Sequence, residues 1–104
     1  MFVEQRTYTL TVGGHVEWYE NYQKYGMEAQ KEILGHMVGY FHTEIGPLNQ
    51  IVHMWAYEDL KERSERRAKL AADPRWQEML PKNRPLIVDQ ESKILIPAPF
   101  SPIP

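Results

Sequence analysis

The sequence predicts an α+β protein of the ferredoxin-like class, in which a four-stranded antiparallel sheet has helices on one face. Two strand-like stretches meet at a turn near the middle of the chain, between residues 39 and 57. Stretches with helical periodicity flank this hairpin, and one further strand-like stretch lies towards each end of the chain. The resulting order is strand, helix, strand, strand, helices, strand, which is the order of a split βαβ fold.

Length and composition indicate a single domain. The chain has 104 residues, of which 42% are hydrophobic and 25% charged, as is ordinary for a globular protein. Its net charge of -2 predicts no attraction to nucleic acid or to an anionic membrane. Cysteine is absent, which excludes disulfides, thiolate metal sites and cysteine nucleophiles. No apolar run approaches the length of a membrane span and no signal peptide opens the chain, so we expect a cytoplasmic protein.

The first strand and the first helix are predicted from a change of period. Residues 2–12 are rich in β-branched and aromatic side chains and end at a pair of glycines, which indicates a strand. From about residue 15 to residue 34, aromatic and small side chains share one arc at 3.6 residues per turn, which indicates a helix. We interpret this aromatic stripe as core that packs against the sheet. Gly35 fits the position that ends such a helix.

The central hairpin is predicted from residues 39–45 and 50–57, with residues 46–49 as its loop. Counting outward from this loop pairs His42 with His53 and Tyr40 with Trp55. Because side chains alternate along a strand, the face carrying Phe41 and its small and aliphatic neighbours is expected to pack against the helices. The other face combines aromatic and ionisable side chains, namely Tyr40, His42, Glu44, Ile51, His53, Trp55 and Tyr57.

The second half of the chain predicts two helices and a last strand. Residues 58–72 predict a charged helix, on which acidic residues precede basic residues by four positions. We interpret its arginines as a solvated face, because acidic residues lie between them. Asp73 and Pro74 predict the N-cap and first position of a short helix. Residues 86–96 predict the last strand, so the domain spans residues 1–96, and the proline-rich residues 97–104 are predicted to form an extended tail.

The aromatic face is expected to remain uncovered by the helices. Left in water, it would expose an apolar patch larger than a few hundred Å². A second copy of the chain is the simplest cover, so we predict a homodimer through the open face of the sheet. Two sheets facing each other would enclose a space lined by the aromatic and ionisable side chains.

The run GYFHTEIGPLNQIVHMWAYEDLKERSERRAKLAADPRWQEML, followed by QESKILIPAPFSP, closely resembles the NIPSNAP family, and the opening RTYTL matches the usual start of that family. The resemblance covers nearly the whole chain, and the stretch LNQ-x-x-H-x-W-x-Y is its specific part. It implies a dimeric α+β barrel. That superfamily includes cofactor-independent quinol oxygenases, haem-binding enzymes and regulatory domains, so the resemblance implies a fold and does not transfer an activity.

Candidate site residues lie on the aromatic face. In the predicted register the Cβ atoms of His42 and His53 are about 5 Å apart. Both histidines are candidate general bases. Glu44 is the third catalytic candidate. The candidate ligand-binding residues are Arg6, Tyr8, Tyr40, Trp55 and Tyr57. Imidazole titrates near neutral pH and aromatic walls suit a flat ligand, which favours a small apolar molecule such as a quinol or an aromatic ketone.

Two other interpretations of the same residues stay open. Two histidines and a carboxylate are also the ligands of a facial-triad metal site, but no third histidine supports this, and we predict neither a metal nor a cofactor. Alternatively, these groups pair with Arg6 and Glu4 in a polar network that fixes the dimer. The protein would then be a non-enzymatic interaction or regulatory protein. The sequence leaves enzyme and interaction protein as alternatives.

Overall fold

The computed structural model describes residues 1–103. Its strands are β1 (Phe2–Leu10), β2 (His36–His42), β3 (Gln50–Tyr57) and β4 (Ile87–Leu95). Its helices are α1 (Gly14–Asn21), α2 (Met27–Leu34), α3 (Leu60–Ala72) and α4 (Pro74–Asn83). A π-helical turn (Tyr22–Gly26) joins α1 to α2, and a 3₁₀ turn (Arg84–Leu86) precedes β4. The strands form one antiparallel sheet in the order β2-β3-β1-β4, which confirms the predicted class.

The helices begin and end at the residues that cap them. Gly35 follows α2 with a φ of 90°, a conformation that favours glycine. The side chain of Asp59 accepts a hydrogen bond of 2.7 Å from the Glu62 N–H and starts α3. Asp73 caps α4 ahead of Pro74, as the sequence predicts.

Gly26, the last residue of the π-helical turn, lets the first helical segment approach α4 closely. A Cβ atom at Gly26 would lie 3.1 Å from side-chain carbons of Trp76 and Met79, so a larger residue would require these side chains to shift. Such turns are rare and are found frequently at functional sites. This one places Tyr22 between the sheet and α4.

The helices cover the aromatic face of the sheet, and the prediction that they cover the other face is wrong. Ile51 and Trp55 are fully buried, and Tyr57 is 2% exposed. Trp55 packs in one cluster with Leu34 of α2 and Leu70 of α3. The physical reason is that large aromatic side chains remove more apolar area from water than small aliphatic ones when a helix packs on them. This face therefore cannot also be the dimer interface.

The β2–β3 register differs from the prediction by two residues. His42 pairs with Ile51 and Tyr40 pairs with His53, so the connection runs from residue 43 to residue 49. Because the shift is two residues, the paired residues 39–42 and their partners keep their predicted faces, whereas residues 43–45 leave the strand. Asn49, with a φ of 62°, ends the connection, and its carboxamide oxygen accepts a 3.0 Å hydrogen bond from the Gly13 N–H.

The open face of the sheet is the one that contains Phe41. Phe41 is 54% exposed, and the side chains beside it include Val52, Met54 and Thr7. Beyond β4, residues 96–103 contain no helix or strand, and Phe100 is 89% exposed. Within residues 1–103, no helix has the length and apolar character needed to cross a membrane.

Candidate functional site

A cavity of about 270 Å³ lies between the aromatic face of the sheet and the helices. Its sheet side is formed by Arg6, Tyr8, Tyr40 and His53, and its helix side includes Trp18, Tyr22, Arg67, Trp76 and Met79. Ala71 of α3 and Arg84 are exposed residues that also line it, so the cavity reaches the surface there. Concave sites of this kind, walled by aromatic groups with a few polar atoms, are typical of small-molecule binding.

His53 presents a buried donor without a partner. The side chain is 2% exposed, and its Nδ1 accepts a 2.8 Å hydrogen bond from Nε1 of Trp55. An indole N–H can only donate, so Nδ1 of a neutral His53 holds the lone pair and Nε2 carries the proton. Nε2 has no hydrogen-bond partner within residues 1–103. His53 is therefore a buried hydrogen-bond donor in the wall of the cavity, and an acceptor reaches its Nε2 only when neighbouring side chains shift.

Burial keeps the His53 ring neutral. Loss of hydration is the main cause that lowers the pKa of His53 to about 3, and the positive charge of Arg6 lowers it further. Glu4 opposes this effect only in part. At neutral pH both nitrogens are thus committed, one as an acceptor from Trp55 and the other as a donor. The geometry gives His53 no free lone pair with which to act as the expected general base.

A column of stacked rings forms the wall beside His53. Tyr40 lies between Tyr22 and His53, with ring centroids 5.0 Å and 4.7 Å away and interplanar angles of 27° and 19°. Tyr8 meets His53 edge-on at 5.2 Å. The hydroxyl of Tyr40 accepts a 2.8 Å hydrogen bond from Nε1 of Trp18, and burial raises the pKa of Tyr40 well above its usual value. The column forms a rigid, uncharged wall whose ring edges a flat molecule can contact.

Glu4 is the buried anion of the site, and its oxygens are fully occupied. Arg63 donates to both oxygens at 3.0 Å and 2.8 Å, Ser92 donates at 2.6 Å and Arg6 donates at 3.1 Å. Burial alone would raise the pKa of Glu4, but these hydrogen bonds and charges outweigh it and lower the pKa to about 2. Arg6 also donates from Nε to the Tyr8 hydroxyl at 2.8 Å. Glu4 therefore orients Arg6 and is not available as a base.

The structure brings some of the predicted site residues together. Arg6, Tyr8, Tyr40 and His53 line the cavity. Trp55 lies beside His53 and sets its tautomer without lining the cavity. The Tyr57 side chain is buried in the core instead, and its hydroxyl has no partner within residues 1–103.

The predicted trio of His42, His53 and Glu44 does not form. His42 is exposed, its Nδ1 lies 2.9 Å from the Tyr19 hydroxyl, and its ring stacks on His15 at 4.6 Å. Glu44 is exposed in the β2–β3 connection, because β2 ends at His42. Within the part of the chain that the structure describes, no three His, Cys, Asp or Glu side chains are grouped so that they could hold a metal ion.

The sequence interpretation missed the helix side of the cavity. The charge pattern predicts a solvated face for Arg67, yet Arg67 lines the cavity with Leu70. The signal was its spacing, because residues three or four apart share one face of a helix and Arg67 lies between Arg63 and the buried Leu70. The aromatic stripe predicts core positions for Trp18 and Tyr22, and in the structure both residues belong to the core and also line the cavity.

Comparison with known families gives a match that covers nearly the whole chain. The family model described as NIPSNAP matches residues 3–102. Protein NipSnap of Drosophila melanogaster is 34% identical over 105 residues, which cover 95% of this chain and 36% of that protein. The chain thus spans about a third of the length of the curated relatives that it matches.

Solved structures with the same fold fall into two groups. Protein Atu4242 from Agrobacterium tumefaciens is 53% identical, with a TM-score of 0.95 and 98% of each chain covered. A structure described as an antibiotic biosynthesis monooxygenase is 11% identical, with a TM-score of 0.65, and 95% of this chain and 100% of that chain are covered. At that identity the second likeness concerns the fold alone.

Proposed function

The chain belongs to the NIPSNAP family, and from that premise we propose that it binds a small, flat, ring-bearing molecule in the cavity between the sheet and the helices. The observation that carries the proposal is the unpaired Nε2–H of His53 beside the stacked rings of Tyr40 and Tyr22. A buried donor without a partner costs about 1–3 kcal/mol, which an acceptor oxygen of a ligand would offset. The ring of such a ligand would pack against the edges of these aromatic rings.

The groups at the cavity support holding and polarising an oxygen of the ligand more than removing a proton from it. His53 donates, Glu4 is saturated, and Tyr40 is held neutral by burial. A quinol hydroxyl or the carbonyl of an aromatic ketone supplies the acceptor that His53 needs. We therefore replace the expected histidine base with a histidine donor.

The alternative, a non-enzymatic interaction protein, is favoured by one specific observation. Four hydrogen bonds converge on Glu4 from Arg6, Arg63 and Ser92, which join β1, α3 and β4 in a network that requires no ligand. Such a network is sufficient reason for burying charge beneath the helices. It does not account for the unpaired donor of His53, so ligand binding remains our first proposal.

Blocking the cavity mouth tests the proposal. Ala71→Trp is expected to weaken binding of quinols and aromatic ketones about tenfold or more, because an indole at the exposed edge of the cavity occupies the space that the ligand needs. Isothermal titration calorimetry measures the change. Ala68→Trp adds the same group at an exposed site on the same helix outside the cavity, and should leave binding unchanged. Absence of binding by the unmodified protein, or equal binding by both variants, would contradict the proposal.

We also propose that the open face of the sheet is covered by a second copy of the chain. Phe41, Val52 and Met54 give this face an apolar centre, and a two-fold axis would place each centre against its equivalent. We expect Phe41→Glu to convert a dimer into a monomer, because it places an unpaired charge in the interface. Sedimentation equilibrium measures this. Val16→Glu, on the exposed side of α1, is the control that should remain dimeric, and a monomeric unmodified protein would contradict the proposal.

A further inference from the structure

The cavity has an excess of positive charge. Among residues 1–103, three of the side chains that line it are arginines, Arg6, Arg67 and Arg84, and none is an aspartate or a glutamate. The chain as a whole carries a net charge of -2, so this excess is a local feature of the cavity. Low-dielectric walls focus such a field and attract an ion of the opposite sign.

Arg67 contributes a positive charge that no acidic side chain balances. It is half-buried on α3, and it takes part in no hydrogen bond or ion pair within residues 1–103. Burial lowers the pKa of its guanidinium, and the positive charge of Arg6 lowers it further. Arginine nevertheless stays protonated in proteins, so the charge remains and lacks a partner. A half-buried cation without a counter-charge is costly unless an anion joins it.

Glu4 cannot supply that counter-charge. Its two oxygens already accept hydrogen bonds from Arg63, Arg6 and Ser92. The single negative charge of Glu4 therefore lies near three positive charges, the guanidinium groups of Arg6, Arg63 and Arg67. The surplus is on the side of the cavity, because Arg6 and Arg67 line it and Arg63 does not.

The unpaired donors at the cavity match the acceptors of a carboxylate. The planar guanidinium of Arg67 has the fork geometry that binds two carboxylate oxygens, and the Nε2–H of His53 adds a further donor. A volume of about 270 Å³ is small for a ligand pocket, which limits the ligand to a compact molecule. The edges of the stacked Tyr40 and Tyr22 rings then favour a flat ring as the apolar part of the ligand.

We infer that the cavity takes an aromatic carboxylate, with its ring along the edges of the stacked Tyr22 and Tyr40 rings and its carboxylate bound by Arg67 and by the Nε2–H of His53. This inference rests on the proposed function and adds to it the charge of the ligand. An apolar ketone or quinol satisfies His53 alone, whereas a carboxylate also satisfies Arg67. The quinols and aromatic ketones used with Ala71→Trp are then expected to bind more weakly than aromatic carboxylates.

Pairs of ligands that differ only in charge test the inference. We expect para-hydroxybenzoate to bind about tenfold or more tightly than its methyl ester, because hydrogen bonds to charged groups are the stronger ones. Phenyl phosphate serves as a third ligand, because a guanidinium fork also fits phosphate. Isothermal titration calorimetry gives the three dissociation constants. Tighter binding of phenyl phosphate than of the carboxylate would overturn the assignment of a carboxylate.

Variants of Arg67 test whether this residue causes the preference for the acid over the ester. Arg67→Met keeps a long apolar side chain and should remove the preference for the acid over the ester, and Arg67→Lys should retain part of it. Lys69→Met, exposed on the same helix, is the matched control and should retain the full preference. Melting temperatures show whether each variant is folded. Equal binding of acid and ester to the unmodified protein overturns this inference and leaves the proposed function standing, whereas binding of neither acid, ester, quinol nor ketone overturns both.

Discussion

Replacing Glu4 with Gln is expected to lower the free energy of unfolding by about 3–5 kcal/mol, because removing one partner of a buried ion pair leaves the other charge uncompensated. Glu4 is fully buried, and the side chains of Arg63 and Arg6 are only 25% and 14% exposed. Urea unfolding followed by circular dichroism measures the difference. The change removes a charge and keeps the shape, so cavity formation contributes little to the result.

A surface pair on the same sheet gives the matched control. Glu91 lies 3.3 Å from Lys93, and both side chains are more than half exposed. Glu91→Gln should change the free energy of unfolding by less than about 1 kcal/mol. If Glu4→Gln has an effect as small as Glu91→Gln, the buried network does not stabilise the fold. Combining Glu4→Gln with Arg63→Gln should cost less than the sum of the two single changes, because the two residues share one interaction.

The elements of the fold were predictable because their signals are local. The period of the aromatic residues gives the first helical segment, Gly35 ends it, and Asp73 with Pro74 starts α4. The β2–β3 register was not predictable from turn residues alone. Gly46 and Asn49 both occur in the connection, but it is seven residues long, from 43 to 49, and the sequence does not state where β2 stops.

The covered face of the sheet was mistaken because alternation sorts side chains onto two faces without saying which face a helix covers. The charged residues among the aromatic ones favour an interface between two copies of the chain with a space enclosed between the sheets. In the structure, residues far apart in sequence compensate the buried charge of Glu4. Arg63, 59 positions away, and Ser92, 88 positions away, both donate hydrogen bonds to its carboxylate. A carboxylate that would be costly alone is stable there because α3 and β4 supply its donors.

The candidate site also combines contacts that the sequence predicts with contacts that it does not predict. Pairs two residues apart on one strand face can be read from sequence, and they include Trp55 with His53 and Arg6 with Tyr8. Contacts between helix and sheet, such as Trp18 with Tyr40, depend on packing that no short pattern encodes. The chemical role of His53 depends on both, because Trp55 fixes its tautomer and burial fixes its charge.

Acid destabilisation through His53 is the second large effect that we expect. The ordinary pKa of histidine is 6.5, and burial and Arg6 lower that of His53 in the folded protein to about 3. Between these two pKa values the unfolded chain binds a proton at His53 and the folded protein does not. The free energy of unfolding is therefore highest above pH 6.5 and falls as the pH drops towards 3. The limiting slope is about 1.4 kcal/mol per pH unit. Glu4, with a pKa lowered to about 2, adds a further loss once the pH falls below its ordinary value of 4.5.

Measuring the free energy of unfolding between about pH 7.5 and about pH 4.5 isolates His53, because most of the Glu4 contribution is lost only at lower pH. The charged groups that act on His53 are Arg6 and Glu4 from β1 and Arg67 from α3, and the arginines stay charged throughout this range. Gln at position 53 can still accept from Trp55 and does not titrate, so His53→Gln should remove about 2–3 kcal/mol of acid loss across the range. His36→Gln, which changes an exposed histidine of the same sheet, should keep the full loss. An identical pH slope in His53→Gln and the unmodified protein would mean that His53 accepts its proton as readily in the fold as in water, and its role as a permanent donor at the cavity would be lost with it.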